Sequence, residues 1–279
     1  SYTPSQFCTG TFISKRIVMG LAPSNQNILY VTYENGESQA GDNGKAEADL
    51  YKMELVNGNF TWTNLSANVP DFTGQLEGVD PFPIQEGYDL FVSVKPDDPN
   101  VVFLGGVNLY RSTNGFSTNT ATSWIGGYGS NLNSLNIYGS QNNPNNIVKW
   151  SHPDMHVMSF DPSNPNRVLC GNDGGIQITD NIMANNTANN GAEPVSWDVC
   201  LNYQTLQYFH VAMDPTATRN NFIGGAQDNG TRFRDGSAVL TSPAAQNAQY
   251  RLLSGDGGAS AIGRPIGTTL YAYATTQFG

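Results

Sequence analysis

The sequence is poor in charge. Asp, Glu, Lys and Arg make up 13% of its 279 residues, about half the usual share. Positive charge is scarcest: 13 Lys and Arg stand against 23 Asp and Glu, a net charge of -10. That balance argues against a nucleic-acid binder and against docking on anionic lipid. It suits cation binding or neutral polar ligands. Cysteine is nearly absent too. Cys8, Cys170 and Cys200 are odd in number and widely spaced, which fits neither a zinc pattern nor a small disulfide framework. No apolar run is long enough to cross a bilayer. The first residues, SYTPSQFCTG, lack the basic and apolar regions of a signal peptide. No stretch carries a helical period. We expect a segment of a larger polypeptide whose remainder completes the fold.

What is present is a repeat. LAPSNQNILYVTYENG, VKPDDPNVVFLGGVNLYRSTNG, FDPSNPNRVLCGNDGGIQITDN and MDPTATRNNFIGGAQDNGTRF share one plan, and IGRPIGTTLYAYA is a weaker copy. Pro23, Pro96, Pro162, Pro215 and Pro265 each sit between two alternating apolar runs, which reads as an antiparallel strand pair about a turn. Third strands follow, as in NLYRS and GIQIT. Fourth strands carry Trp62, Trp124 and Trp197, expected to pack the sheets. Asn-Gly pairs at Asn35, Asn43, Asn57, Asn114, Asn190 and Asn229 add hairpin signals. Four strands per repeat predict an all-β fold, a β-propeller of four-stranded antiparallel blades. Four to five blades are expected here, near residues 12–65, 87–128, 152–201 and 204–254, with another opening at 256. The stretches 129–150 and 183–194 read as surface loops.

Two stretches, YRSTNGFST and QITDN, resemble degenerate Asp-box turns of bacterial neuraminidase (BNR) repeats. Phe116 and Ile182 stand where that motif has glycine, and Asn114 where it has aspartate. With GYDLFVSVKPDDPNVVFLGGVNLYRSTNG, HPDMHVMSFDP, GGAQDNGT and SGDGGASAI, nearly the whole chain resembles the sortilin-type and glycoside hydrolase family 74-like propellers. The flavour is that of large secreted or surface proteins of Bacteroidetes-type bacteria, many of which use type IX secretion. The resemblance implies a secreted or cell-surface module that binds glycan or extracellular protein. A glycoside hydrolase acting on polysaccharide and a structural component of a surface assembly are the other readings. No position matches the family's catalytic carboxylates.

Counting from each proline, polar residues converge on the face opposite the Asp-Pro turns. Asp89, Asp154 and Asp256 precede it by 7 to 9 residues, and Glu34, Asn108, Asp173 and Asp228 follow it by 11 to 13. With Tyr88, His152, His156, Tyr208 and Gln227 they make the expected ligand face. Tyr88, Tyr203 and Tyr208 are the candidates for stacking against a ligand. In His152-x-Asp154-x-His156 an extended segment would point all three side chains one way. Three readings stay open: a hydrogen-bonded strand start, a metal site of His152, Asp154, His156 and Asp173, or direct ligand contact. Asp154 and Asp173 are expected to face each other across a strand pair. Calcium or another divalent cation at the Asp-Gly-Gly and Asp-Asn-Gly turns is a further possibility, although these lack a dedicated calcium loop's ligand spacing. Sequons occur at Asn59, Asn64, Asn185 and Asn229. Strand order places Cys170 and Cys200 too far apart to be bonded to each other.

Overall fold

In a computed structural model of the protein the described residues are 16–37, 46–70, 82–127, 151–184, 195–199, 206–216, 220–236, 249–253 and 255–276. Cys8, Cys200, Tyr203, Asn43, Asn185 and Asn190 lie outside them, as does most of both proposed loops. The fold is a β-propeller segment built of antiparallel sheets in which each strand pairs with the next in sequence. Among the described residues no helix is long and apolar enough to cross a membrane.

The first sheet contains β1 (Ile17–Leu21), β2 (Ile28–Glu34), β3 (Ala48–Val56) and β4 (Asn59–Asn64). The second contains β5 (Phe91–Val94), β6 (Val102–Gly105), β7 (Leu109–Ser112) and β8 (Thr122–Gly126). The third contains β9 (Met155–Asp161), β10 (Asn164–Asn172), β11 (Gly175–Thr179) and β12 (Asp198–Val199). These sheets make one compact unit, apart from the turn Asp173–Gly175. A second unit takes that turn and residues 201–279. It holds β13 (Tyr208–Met213), β14 (Phe222–Ala226), β15 (Gly230–Arg234) and β16 (Gln249–Leu253), then the pair β17 (Gly257–Ile262) and β18 (Ala272–Thr276).

Local chemistry explains the hairpins. In the first turn Ala22 N donates to Ile28 O, Asn25 N to Ala22 O and Ile28 N to Asn25 O. The second repeats this with Lys95, Asp98 and Val101, and Asn25 and Asp98 each accept a backbone N–H two residues on. Such Asx turns satisfy the backbone where the ladder stops. Asn57 and Gly58, both at positive φ (51 and 78), form the two-residue loop joining β3 to β4, with Val56 opposite Asn59. That is the geometry an Asn-Gly hairpin favours.

Within the first unit, β5 lies beside both β1 and β9, so first strands stand next to first strands. The second sheet is therefore covered on both faces. Val92, Val94, Val102, Leu104, Tyr110 and Trp124 pack toward the first sheet, and Phe91, Phe103, Leu109 and Ile125 toward the third. Alternation of side chains across a strand produces this split. It also explains why VVFL is a continuous apolar run. Trp197 Nε1 donates to Ile125 O at 2.9 Å, and Arg111 Nη1 to Ile182 O at 2.7 Å, tying the third sheet to the second. Tyr30 Oη donates to Pro99 O at 3.2 Å, tying the first. Trp124 and Trp197 are buried packing residues. Phe116 is fully buried at φ 57, a backbone region that favours glycine.

Candidate functional site

The starts of β1, β5 and β9 and the ends of β2 and β6 meet at one rim of the first unit. Its centre is the lead-in to β5, where Gln85, Glu86 and Gly87 have φ of 48, 56 and 84. Three successive left-handed residues are unusual, and each non-glycine costs about 1–3 kcal/mol unless its surroundings impose it. Here they do. Ile84 N donates to Glu47 Oε2 at 2.7 Å, and Arg16 Nη1 donates to Gly87 O at 3.0 Å and Tyr88 O at 2.6 Å. Gln85 Nε2 donates to Asp154 Oδ1 at 3.0 Å. A Cβ at Gly87 would lie 3.1 Å from Arg16 Cβ, so the residue must be small as well as left-handed.

This clamped turn presents Tyr88, 51% exposed. Its ring meets that of His156 edge-on, with centroids 5.0 Å apart. Nδ1 of His156 lies 3.8 Å from Oδ1 of Asp89, which is fully buried. Glu34 is also fully buried, beside the same turn. Asn108 is buried where β6 turns into β7. The neighbouring carbonyls of Val107 and Gly106 accept Asp154 N and Met155 N, both at 2.9 Å. Glu34, Tyr88, Asp89, Asn108, Asp154 and His156 thus lie along this one rim.

The three residues of His152-x-Asp154-x-His156 are not held as an extended segment. The chain bends at Pro153 and Asp154, where φ is 63, and β9 begins only at Met155. Each side chain has its own partner. His152 Nδ1 lies 2.9 Å from Pro153 O, which requires its proton on that nitrogen, and His152 N donates to Gln177 Oε1. Asp154 takes Gln85, and His156 pairs with Asp89 and Tyr88. Asp tolerates the left-handed region better than most residues, and here it breaks the alternation that would have aligned the three. The β9–β10 ladder ends with Asn172 opposite Met155, after an irregularity at Gly171, so the chain leaves it at Asp154 and Asp173.

In the second unit Tyr208 starts β13 opposite Ala226 and packs edge-on against Phe222, its ring close over Gly224. It is a packing residue, less exposed than Tyr88. Gln227 N donates to Gln207 O, and Asp228, at φ 55, donates its N–H to Asp256 Oδ1 at 2.7 Å. Asp173 O and Gln227 O both accept from Asn229 Nδ2. Carboxylate oxygens of Asp173 and Asp228 come within 4.8 Å of each other. Sequence reasoning missed Arg16, Glu47 and Gln85. Their roles depend on neighbouring sheets, and no local motif marks them.

No family model matches the chain, and no curated protein matches it. Among solved structures it is similar to a GH74 xyloglucanase from Xanthomonas campestris, at 15% identity and TM-score 0.43, over 78% of this chain and 27% of that one. It is also similar to a GH74 enzyme from Niastella koreensis, at 19% identity and TM-score 0.45, over 96% of this chain and 37% of that one. A β-propeller domain from Myceliophteria thermophila matches at 11% identity and TM-score 0.36, over 87% of this chain and 63% of that one. The chain spans less than two thirds of the length of each of these three.

Proposed function

We propose that this propeller segment is a secreted or cell-surface binding module whose first-unit rim holds a neutral glycan, with Tyr88 as the stacking platform. The strained turn carries the reading. Gln85 and Glu86 are held in left-handed backbone by clamps from two neighbouring sheets, and the product of that strain is one half-exposed aromatic ring. Strain concentrated at a rim is a recognised mark of a ligand site. An aromatic face flanked by polar groups offers both apolar contact and hydrogen bonds, which a sugar ring needs. His156 and Gln85 supply polar edges beside Tyr88. The net charge of -10 favours a neutral polymer over a polyanion.

The test is a polysaccharide panel in which binding and turnover are both measured, with and without calcium. Binding without turnover is expected, and Tyr88→Ala should weaken it by about tenfold or more, in keeping with loss of an exposed aromatic anchor. Because the ring is half-exposed, the melting temperature should hardly move. Turnover would replace this reading with a glycoside hydrolase. Neither binding nor turnover would leave a structural role. Binding unchanged in Tyr88→Ala would remove the platform, and dependence on calcium would add a bound cation.

A further inference from the structure

The second unit carries a concentration of positive charge on one strand pair. Arg232 on β15 stands directly opposite Arg251 on β16. Arg234 is two residues along β15, hence on the same face as Arg232. Three of the 13 basic residues therefore share one side of a single strand pair. Cβ atoms of directly opposed residues are about 4.5–5.5 Å apart, and like charges so placed are destabilising. Arg232 and Arg234 are half-buried, and Arg251 is exposed.

Among the described residues no carboxylate lies within ion-pairing distance of any of the three. Arg232 Nε donates to Asn229 O at 2.9 Å, which fixes the orientation of its guanidinium. Its other donors find no acceptor among the described residues. Burial first, and then the charge of Arg251, pull the Arg232 guanidinium below its usual range, partly opposed by the Tyr208 phenol. Among the described residues, this half-buried, oriented cation faces a second cation and no counter-charge.

An oxyanion supplies it. The guanidinium fork matches the paired oxygens of a carboxylate or a sulfate, and one such group between the arginines turns repulsion into attraction on both sides. The field of the whole chain limits the ligand further. A net charge of -10 opposes the approach of a polyanion, so the fitting ligand bears one anionic group on an otherwise neutral body. We propose that Arg232, Arg234 and Arg251 form a binding site for a single oxyanion, the uronate carboxylate or sulfate ester of an otherwise neutral glycan. The proposal is independent of the Tyr88 rim.

The experiment is isothermal titration of the full chain at fixed ionic strength with methyl glucuronide, galactose 6-sulfate and, as the neutral control, methyl glucoside. Binding of at least one anionic sugar and not of the glucoside is expected, and which anion binds distinguishes carboxylate from sulfate. Arg251→Gln, at an exposed position, should weaken binding about tenfold or more by removing one charge-assisted contact. In buffer without the sugar the same variant should melt no lower than the parent, since it also removes a repulsion. Arg234→Gln provides a second variant on the neighbouring strand. The proposal is overturned if neither anionic sugar binds, if the glucoside binds equally, or if both variants bind as the parent does. Binding of inorganic sulfate without either sugar also overturns it.

Discussion

Phe116 is the residue at which two opposing terms can be separated by experiment. Its side chain is fully buried between the first and second sheets. Its backbone sits at φ 57, with its N–H on Ser112 Oγ at 2.8 Å and its carbonyl on Asn68 Nδ2 at 2.8 Å. Removing a buried phenylalanine costs about 3–5 kcal/mol. Holding a residue with a Cβ in the left-handed region costs about 1–2 kcal/mol. Phe116→Ala loses the packing and keeps the backbone cost. Phe116→Gly loses the packing and escapes that cost, while giving back about 0.4–1 kcal/mol through a more flexible unfolded chain. Both variants should be destabilised, with glycine above alanine by up to about 1 kcal/mol, the reverse of the usual order inside a β-protein. For a unit of this size that is about 2–4 °C in Tm. Urea titrations and thermal melts of the three proteins measure it. Alanine more stable than glycine would refute the argument, because the turn would then impose no left-handed requirement.

Further outcomes follow from packing and burial. A Cβ at Gly105 would fall 2.1 Å from a ring atom of Phe91, which is itself 5% exposed. Gly105→Ala should therefore cost about 1–3 kcal/mol by overpacking. A loss under 0.5 kcal/mol in urea denaturation would mean that the ring has room to move. Cys170 is buried with its Sγ 3.6 Å from Met155 Sδ, and burial pushes its thiol up to about 12. It should resist iodoacetamide at pH 8 in the folded protein and react once unfolded. The raised value also means that the neutral thiol's contribution is intact below about pH 8.5 and fades as pH rises toward 12. Rapid labelling of Cys170 under native conditions, read by peptide mapping, would contradict its burial.

The strands and their partners could be read in the sequence because their signals are local. A proline turn with alternating apolar residues on both sides defines a hairpin without any other part of the chain, as β5 and β6 show. The left-handed backbone of Phe116 was not legible: Ile182 also stands where the resembled motif has glycine, yet it has no positive φ. The rim was only half legible. Repeat spacing brought Glu34, Asp89 and Asn108 to one edge, but alternation failed at Asp154 because a single left-handed residue reverses it. The clamps from Arg16 and Gln85 span about 70 residues of chain, and no local pattern encodes a contact at that separation. The Arg232–Arg251 pairing was hidden for another reason. No turn signal fixes the register of strands joined by a stretch as long as residues 235–248.

The double burial of the second sheet also limits where this protein can change. A residue in β5, β6 or β7 touches one neighbouring sheet or the other, so nearly every change of size there meets a packed wall. Drift by small steps is therefore channelled to the places where the ladder stops. The lead-in at residues 84–89 is one of these, and the turns after β2 and β6 are others. A lineage of such chains could exchange its recognition chemistry at these edges while the sheets beneath stay the same, much as a tool holder accepts new bits.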